Sequence, residues 1–224
     1  MEASKKEKWL EERCGSFTAS NISALFSEPK SKADKDAGLL SDSAMTYIKK
    51  KAAELLTGQY PESFTTKEMQ WGIDNEPYAV ALLEKKYGCV TYYGGENPKF
   101  FPITNFSGAS PDGHYHTVNF DIKCPNSSTH IDYLLMSKQE NKSEALKSYS
   151  KEYWHQLQMG AVALRAEGFE ISHCSLVSYD PRFKPEFQLA EITFPIDEEY
   201  EQILRSKIER AEKELRTILT ELGI

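Results

Sequence analysis

The 224 residues predict an α/β chain of the α+β kind, with helices on either side of a strand-rich middle. Three observations carry that expectation. Apolar residues recur at helical spacing up to residue 87, again over 149–165 and again after 197. Between 89 and 123, and from 171 to 194, short runs rich in Phe, Tyr, Ile and Thr are punctuated by Gly and Pro, as strands and turns are. No repeat of roughly 20–50 residues and no low-complexity tract suggests a solenoid or a second domain.

Residues 5–13 read as a short helix and 19–26 as another, with Thr18 or Ser20 as its cap. The polar run 30–38 reads as a loop. In 41–57, Met45, Ile48, Ala52, Leu55 and Leu56 share a helical face that stops at Gly58, and Lys49, Lys50 and Lys51 read as solvated. Residues 66–87 read as a long helix closed by Gly88. Pro77 inside it lacks an amide proton and crowds the preceding turn, so a kink or restart is expected between Ile73 and Pro77. Strands are expected at 89–94, 100–106, 113–116 and 120–123, a helix at 149–165, and strands at 171–179 and 187–194. From Asp197 an amphipathic helix presents Tyr200, Ile203, Leu204, Ile208, Ala211, Leu215, Ile218 and Leu222 on one face.

With 40% hydrophobic residues, 12 Tyr, 11 Phe and 3 Trp, the chain can bury a sizeable core without disulfides. One domain over 1–224 is expected, made of N-terminal helices (1–88), a sheet core (89–195) and a C-terminal helix (197–222). No apolar run approaches the ~20 residues of a membrane helix, and the N-terminus is charged. A soluble, unprocessed, cytoplasmic protein with no membrane partner is expected. Cys14, Cys89, Cys124 and Cys174 are at least 35 positions apart, so neither zinc nor an iron–sulfur cluster is supported and reduced thiols are expected. Lys and Arg number 27 against 34 Asp and Glu, a net charge of −7. Generic coating of nucleic acid relies on excess cations, so composition alone points away from DNA.

The chemistry lies in Ser110-Pro111-Asp112-Gly113 followed by Asp121-Ile122-Lys123-Cys124-Pro125. An acid in the turn that opens a hairpin can meet a second acid near the end of the next strand. Residues i and i+2 of a strand share a face, so Asp121 and Lys123 point one way and Ile122 the other. Two carboxylates with open positions suit a hard divalent cation and phosphate chemistry. Lys123 can orient or deprotonate a water if its pKa falls, or stabilise developing negative charge if it stays protonated, and sequence leaves both roles open. Each motif alone is an ordinary turn or surface ion pair; their combination in this element order points to a site. His114 and His116 share a strand face but imply no third zinc ligand, and read as hairpin surface. Trp71 and Trp154 read as packing residues, and His155 as either a helix surface residue or one that approaches DNA.

With these motifs in order, the chain resembles the PD-(D/E)xK nuclease superfamily and, more closely, the phage lambda exonuclease family of viral-type recombination nucleases. Trp9-x3-Arg13-x-Gly15-x2-Thr18-Ala19-Ser20, Trp71-Gly72-x3-Glu76, Tyr153-x2-Gln156-x-Gln158 and Tyr179-Asp180-Pro181-Arg182 complete the match. The resemblance implies a restriction-endonuclease-like core, a central mixed β-sheet flanked by helices. It implies a Mg²⁺-dependent (Mn²⁺ as substitute, two ions) 5′-to-3′ exonuclease that digests one strand of linear duplex DNA to mononucleotides and leaves a 3′ single strand. In that pattern Asp112 and Asp121 are metal ligands with the Ile122 backbone carbonyl, Glu76 is the helix acid, binding directly or through water, and Lys123 is the catalytic lysine. Arg13, Ser20, Ser110 and Gln156 match a pocket for the 5′-terminal phosphate. Lys30 matches a residue that touches DNA phosphates, and Met69 an apolar wedge between the strands, with core packing as its alternative. A homotrimeric ring around DNA, a single-strand annealing partner and a phage or prophage origin in a bacterial cytoplasm are also implied. A restriction-like or Cas-associated endonuclease, or a non-catalytic DNA-end-binding module, are the alternatives. Two departures stand out: the second acid is Asp121 where the lambda enzyme has glutamate, and the stretch before Trp9 is shorter.

Overall fold

The computed structural model describes residues 4–60 and 66–224, so the first three residues of the charged N-terminal stretch, and 61–65, lie outside it. Helix α1 (Lys5–Arg13) leads into the two-residue strand β1 (Phe17–Thr18) and a 3₁₀ helix (Ala19–Phe26), then α2 (Lys32–Asp36), α3 (Asp42–Thr57) and α4 (Lys67–Tyr87). Strands β2 (Thr91–Tyr92), β3 (Phe101–Thr104), β4 (Ser107–Ala109), β5 (Gly113–Tyr115) and β6 (Val118–Lys123) follow. Helices α5 (Ser127–Met136), α6 (Lys142–Tyr149) and α7 (Lys151–Ala166), then β7 (His173–Tyr179), β8 (Leu189–Pro195) and α8 (Glu198–Glu221) complete the chain. Among the described residues the main sheet has the order β2-β5-β6-β7-β8, and a smaller sheet the order β1-β4-β3. The main sheet is mixed: β6 and β7 run parallel, the other pairs antiparallel. The expected α/β class with a central mixed sheet is what forms.

Strand alternation divides the core. Phe120, Ile122, Val177 and Tyr179 pack against Ala79, Val80 and Leu83 of α4 on one face. On the other, Cys174 and Leu176 join the large cluster that contains Trp154, Leu157, Ala161 and Leu164 of α7. Helix α7 lies close on this face, where Asn119 Nδ2 donates to the Leu157 carbonyl at 2.9 Å. The apolar stripe of α8 buries Tyr200, Leu204, Ile208, Ala211 and Leu215, while Ile203, off its centre line, and Leu222, just past the helix, remain exposed. No helix among the described residues is long and apolar enough to cross a membrane.

Several local expectations change. Residues 19–26 are helical but as 3₁₀, and Thr18 caps them without a side-chain bond. The loop expected over 30–38 contains α2, capped by Ser31. Helix α4 continues through Pro77 as one 21-residue element, without a restart. Lys49 and Lys50 are solvated, but Lys51 is buried, with its Nζ 2.9 Å from Glu54 Oε1. Counting from Ile48, Lys51 falls one turn on along the buried face, and only a partner three residues away lets an ammonium stay there. His114 and His116 do not form one strand face. His116 lies in the turn with φ 47°, and half-buried His114 packs on Tyr93 and Phe169. Trp154 is buried as a packing residue.

Buried His155 is neither surface nor exposed to a ligand in solution, lying 2% exposed between Phe26 and Tyr200. Burial first, then the Lys151 and Lys147 charges, push its pKa down to about 4. The unfolded chain therefore takes up a proton near pH 6.5 that the folded one refuses until about pH 4. The stability associated with neutral His155 is complete above this window and is lost as pH falls through it, at roughly 1 kcal/mol per pH unit. Thermal midpoints of wild type and His155→Gln, compared at pH 7 and pH 5, are expected to converge as pH falls. A constant gap would rule out this role.

Candidate active site

In the β5–β6 hairpin Gly113 faces Phe120 and Tyr115 faces Val118. Since β6 runs on past the base of β5, Asp112 comes to lie beside Ile122, and its Oδ2 accepts the Ile122 amide proton at 2.6 Å. The adjacent Gly113 is required, because a Cβ there would overlap the Thr91 carbonyl and the Phe120 ring. Alternation turns Asp121 and Lys123 toward α7. Lys123 Nζ sits 2.6 Å from Asp121 Oδ2, and Gln156 Nε2 of α7 donates to Asp121 Oδ1 at 2.7 Å. The ammonium also lies over the Tyr153 ring, 4.8 Å from its centroid. Glu76 comes from α4, on the opposite face, and its Oε2 accepts from the Tyr92 hydroxyl at 2.9 Å.

The charges of these four groups are coupled. Burial, then the Asp121 and Glu76 carboxylates, push the Asp112 pKa well above the usual carboxylate range. Burial also raises Glu76, with Asp121 adding to it against the Tyr92 hydrogen bond. Burial opposes the charged form of Lys123, but Asp121 and Asp112 outweigh it and hold its pKa above that of an ordinary lysine. The neighbouring Cys124 is pushed up to about 12, chiefly by burial, and is not a nucleophile. Three carboxylates facing one ammonium in a half-buried recess leave negative charge unbalanced, and all the donors are hard oxygens. That donor set fits Mg²⁺ or Mn²⁺ in chemistry. Among the described residues no three His, Cys, Asp or Glu side chains stand as a ready metal-ligand cluster. Each of the three acids is instead closed on a protein donor.

A second constellation forms where α1 meets the same hairpin. Ser110 Oγ accepts from Arg13 Nη1 at 2.9 Å and from Trp9 Nε1 at 2.8 Å, and the guanidinium lies over the Trp9 ring at 4.4 Å. Arg13 Nε is buried without a partner among the described residues. The following turn is pinned by α3: Gly15, at φ 74°, donates its amide to Glu54 Oε2 at 2.9 Å, and a Cβ there would run into Leu55. The buried Lys51–Glu54 pair thus anchors the turn that carries Arg13.

Of the residues matched to a phosphate pocket, Arg13 and Ser110 meet, and Gln156 holds Asp121. Exposed Ser20 instead bonds Thr18 at 3.4 Å and Asn21 at 3.3 Å. Lys30 is exposed just before α2. Met69, on the first turn of α4, is 47% exposed, which removes core packing as its role. Tyr92, Trp9 and Tyr153 make contacts for which sequence reasoning assigned no role. Trp9 and Tyr153 were visible as motif positions, whereas nothing local marks Tyr92, on an edge strand, as the partner of Glu76.

Residues 8–163 match the family model described as the YqaJ-like viral recombinase domain. Among solved structures the chain is similar to an alkaline exonuclease, LHK-Exo, from Laribacter hongkongensis. In its complex with dAMP the identity is 26%, with 96% of this chain and 95% of that one covered, at a TM-score of 0.74. Another structure of that exonuclease gives 26% identity, the same coverage and 0.73. A phage-related exonuclease from Haemophilus somnus 129PT shares the fold at 17% identity, covering 93% of this chain and 96% of that one, with a TM-score of 0.69. Among curated proteins there is no significant match.

Proposed function

We propose that this chain, which belongs to the family of YqaJ-like viral recombinase domains, is a Mg²⁺-dependent exonuclease that degrades one strand of linear duplex DNA from its 5′ end, releasing mononucleotides and leaving a 3′ single strand. The observation that carries this reading is the meeting of Asp112, Asp121, Glu76 and Lys123 at the end of β6. A relative of similar fold binds dAMP, a mononucleotide of the kind such a reaction releases.

Asp112, Asp121, the Ile122 carbonyl and Glu76 would hold Mg²⁺ (or Mn²⁺), as one or two ions. When bound, such ions make a water more acidic and offset charge on the phosphate and its leaving oxygen. Gln156 orients Asp121 through its 2.7 Å hydrogen bond, and Tyr92 holds Glu76 in place. Lys123, held charged by the acids around it, would stabilise negative charge on a phosphate beside Asp121. Arg13, whose buried Nε has no partner among the described residues and whose guanidinium lies over the Trp9 ring, would take the 5′-terminal phosphate together with Ser110; Ser20 would join it. Exposed Met69 would wedge between the strands, and Lys30 would meet backbone phosphate. A homotrimeric ring around the duplex, and an annealing protein that takes the single strand, complete the reading for phage-type recombination. The acid excess is compatible with it if the cations gather along the DNA path. The site residues, and one domain over 1–224, are parts of this same proposal.

Incubating linear and closed-circular duplex with the protein and Mg²⁺, with a chelator control, tests it. Loss of one strand of the linear form alone is expected. Cutting of the circle would favour an endonuclease, and binding without hydrolysis a DNA-end-binding module. Arg13→Ala is expected to reduce the preference for 5′-phosphorylated over 5′-hydroxyl ends by roughly tenfold, the worth of one charged hydrogen bond. An unchanged ratio would remove Arg13 from the pocket.

A further inference from the structure

We propose that Arg182, on the connection between β7 and β8, binds a phosphodiester of the DNA backbone beside the acid cluster and apart from the Arg13–Ser110 pair. The inference rests on the reading that the chain acts on DNA. Tyr179-Asp180-Pro181-Arg182 is a motif of the sequence to which the proposed reaction gives no role.

Strands β6 and β7 run parallel with Lys123 opposite Ser178, so Tyr179 and Asp180 leave the sheet alongside Cys124 and Pro125. Arg182 joins the two chain segments there: its Nη2 donates to the Pro125 carbonyl at 3.2 Å. The guanidinium also lies over the ring of half-buried Trp71, 5.0 Å from its centroid. Trp71 precedes Glu76 by five residues on α4, about 7.5 Å along a helix axis. Arg182 is thus tied to both β6, which carries Asp121, and α4, which carries Glu76.

The guanidinium is fixed before any ligand arrives. Its Nε and Nη2 donate to Asp180 Oδ1 and Oδ2, each at 2.7 Å, and Asp180 is fully buried, with a further bond from the Ser127 hydroxyl at 2.9 Å. The connection is held in turn by fully buried His130, whose Nε2 donates to the Phe187 carbonyl at 2.8 Å and whose Nδ1 bonds the Ser178 hydroxyl at 2.7 Å. Gln188 Nε2 donates to the Pro181 and Phe183 carbonyls across the same turn. Yet the arginine side chain is 49% exposed, and its Nη1 has no partner among the described residues. Freezing so long a side chain costs rotamer entropy that an ion pair half open to water repays poorly. What the arrangement supplies is a guanidinium held in one plane with an edge of donors left over, the geometry that takes a phosphate oxygen. Among the described residues no carboxylate other than Asp180 bonds it, so the open edge selects an anion. A duplex led to the acids brings phosphates to that edge.

The test reads binding, with chelator present, so that hydrolysis plays no part. Linear duplexes with 5′-hydroxyl ends carry one neutral methylphosphonate in place of a phosphate, stepped through the positions near the end of each strand; a parallel series carries single abasic sites. Affinity is measured by fluorescence anisotropy. In the wild type the methylphosphonate is expected to weaken binding roughly tenfold at the contacted positions, the worth of one charged hydrogen bond. Arg182→Ala is expected to weaken binding of the unmodified duplex by a like factor and to abolish the methylphosphonate effect at one of those positions. Lys138→Ala, an exposed lysine elsewhere, should keep the wild-type pattern. If Arg182→Ala melts below the assay temperature, Arg182→Gln, whose amide can still donate to Asp180, carries the same expectation. Weaker binding with the wild-type methylphosphonate pattern would mean that Arg182 only holds its turn, and would overturn the proposal. Loss of sensitivity to an abasic site instead would give the guanidinium to a base and refute the phosphate reading. A wild type that binds linear duplex but does not cut it with Mg²⁺ would sink the exonuclease reading and leave this measurement intact.

Discussion

Asp112→Asn is expected to lower hydrolysis of linear duplex by roughly three orders of magnitude or more, on the scale of removing a main electrostatic group from an active site, with folding and DNA binding retained. The asparagine carbonyl can still accept the Ile122 amide proton that Asp112 Oδ2 takes at 2.6 Å, so the base of the hairpin keeps its hydrogen bond. What is lost is a carboxylate whose charge is opposed by burial and by Asp121 and Glu76. Removing it relieves repulsion, so the thermal midpoint should stay level or rise while turnover collapses. Loss of activity through unfolding would lower both. Strand loss on gels and thermal melting, run on one preparation, separate these outcomes. Turnover within tenfold of wild type would sink the assignment of Asp112.

Lys123→Met is expected to cost about 10²–10⁴ in rate, with a modest loss of stability. A methionine of similar length can fill the space over the Tyr153 ring that the Lys123 ammonium occupies, and Asp121 keeps Gln156 as a donor. Lys123→Arg separates the two chemical roles. Arginine stays charged throughout the working pH range and does not accept a proton from water. Substantial activity in the arginine variant but not in the methionine one would identify charge stabilisation. Equal loss in both would favour proton transfer. Full activity of Lys123→Met would exclude both roles.

Much of this site was legible because its key spacings are local. Asp121 and Lys123 are two apart on a strand, and a strand puts such residues on one face whatever surrounds it, so their 2.6 Å pair follows from backbone period. The turn at Pro111-Asp112-Gly113 and the long apolar stripes of α7 and α8 were equally readable. Strands β1 and β4 were not, because two and three residues carry no periodicity and their parallel pairing joins Phe17 to Ser107 across the chain. Helices α5 and α6, of 10 and 8 residues, are too short for a clear apolar stripe. The run Lys49, Lys50, Lys51 looks uniform in composition, and only the phase of α3 against its neighbours sends the third lysine inward to Glu54.

The sequence by itself determined the chemical inventory: which acids, which lysine and which arginine, in what order, and hence the family whose pattern they match. The tertiary structure decided which of them meet. Glu76 reaches the recess from the α4 face and is held by Tyr92 of an edge strand, Gln156 reaches Asp121 from the α7 face, and Arg13 meets Ser110 rather than Ser20. Local order is set by backbone period, which a few residues express. Contacts between distant segments depend on how helices of given length and apolar face settle on a twisted sheet, and no local spacing encodes that outcome.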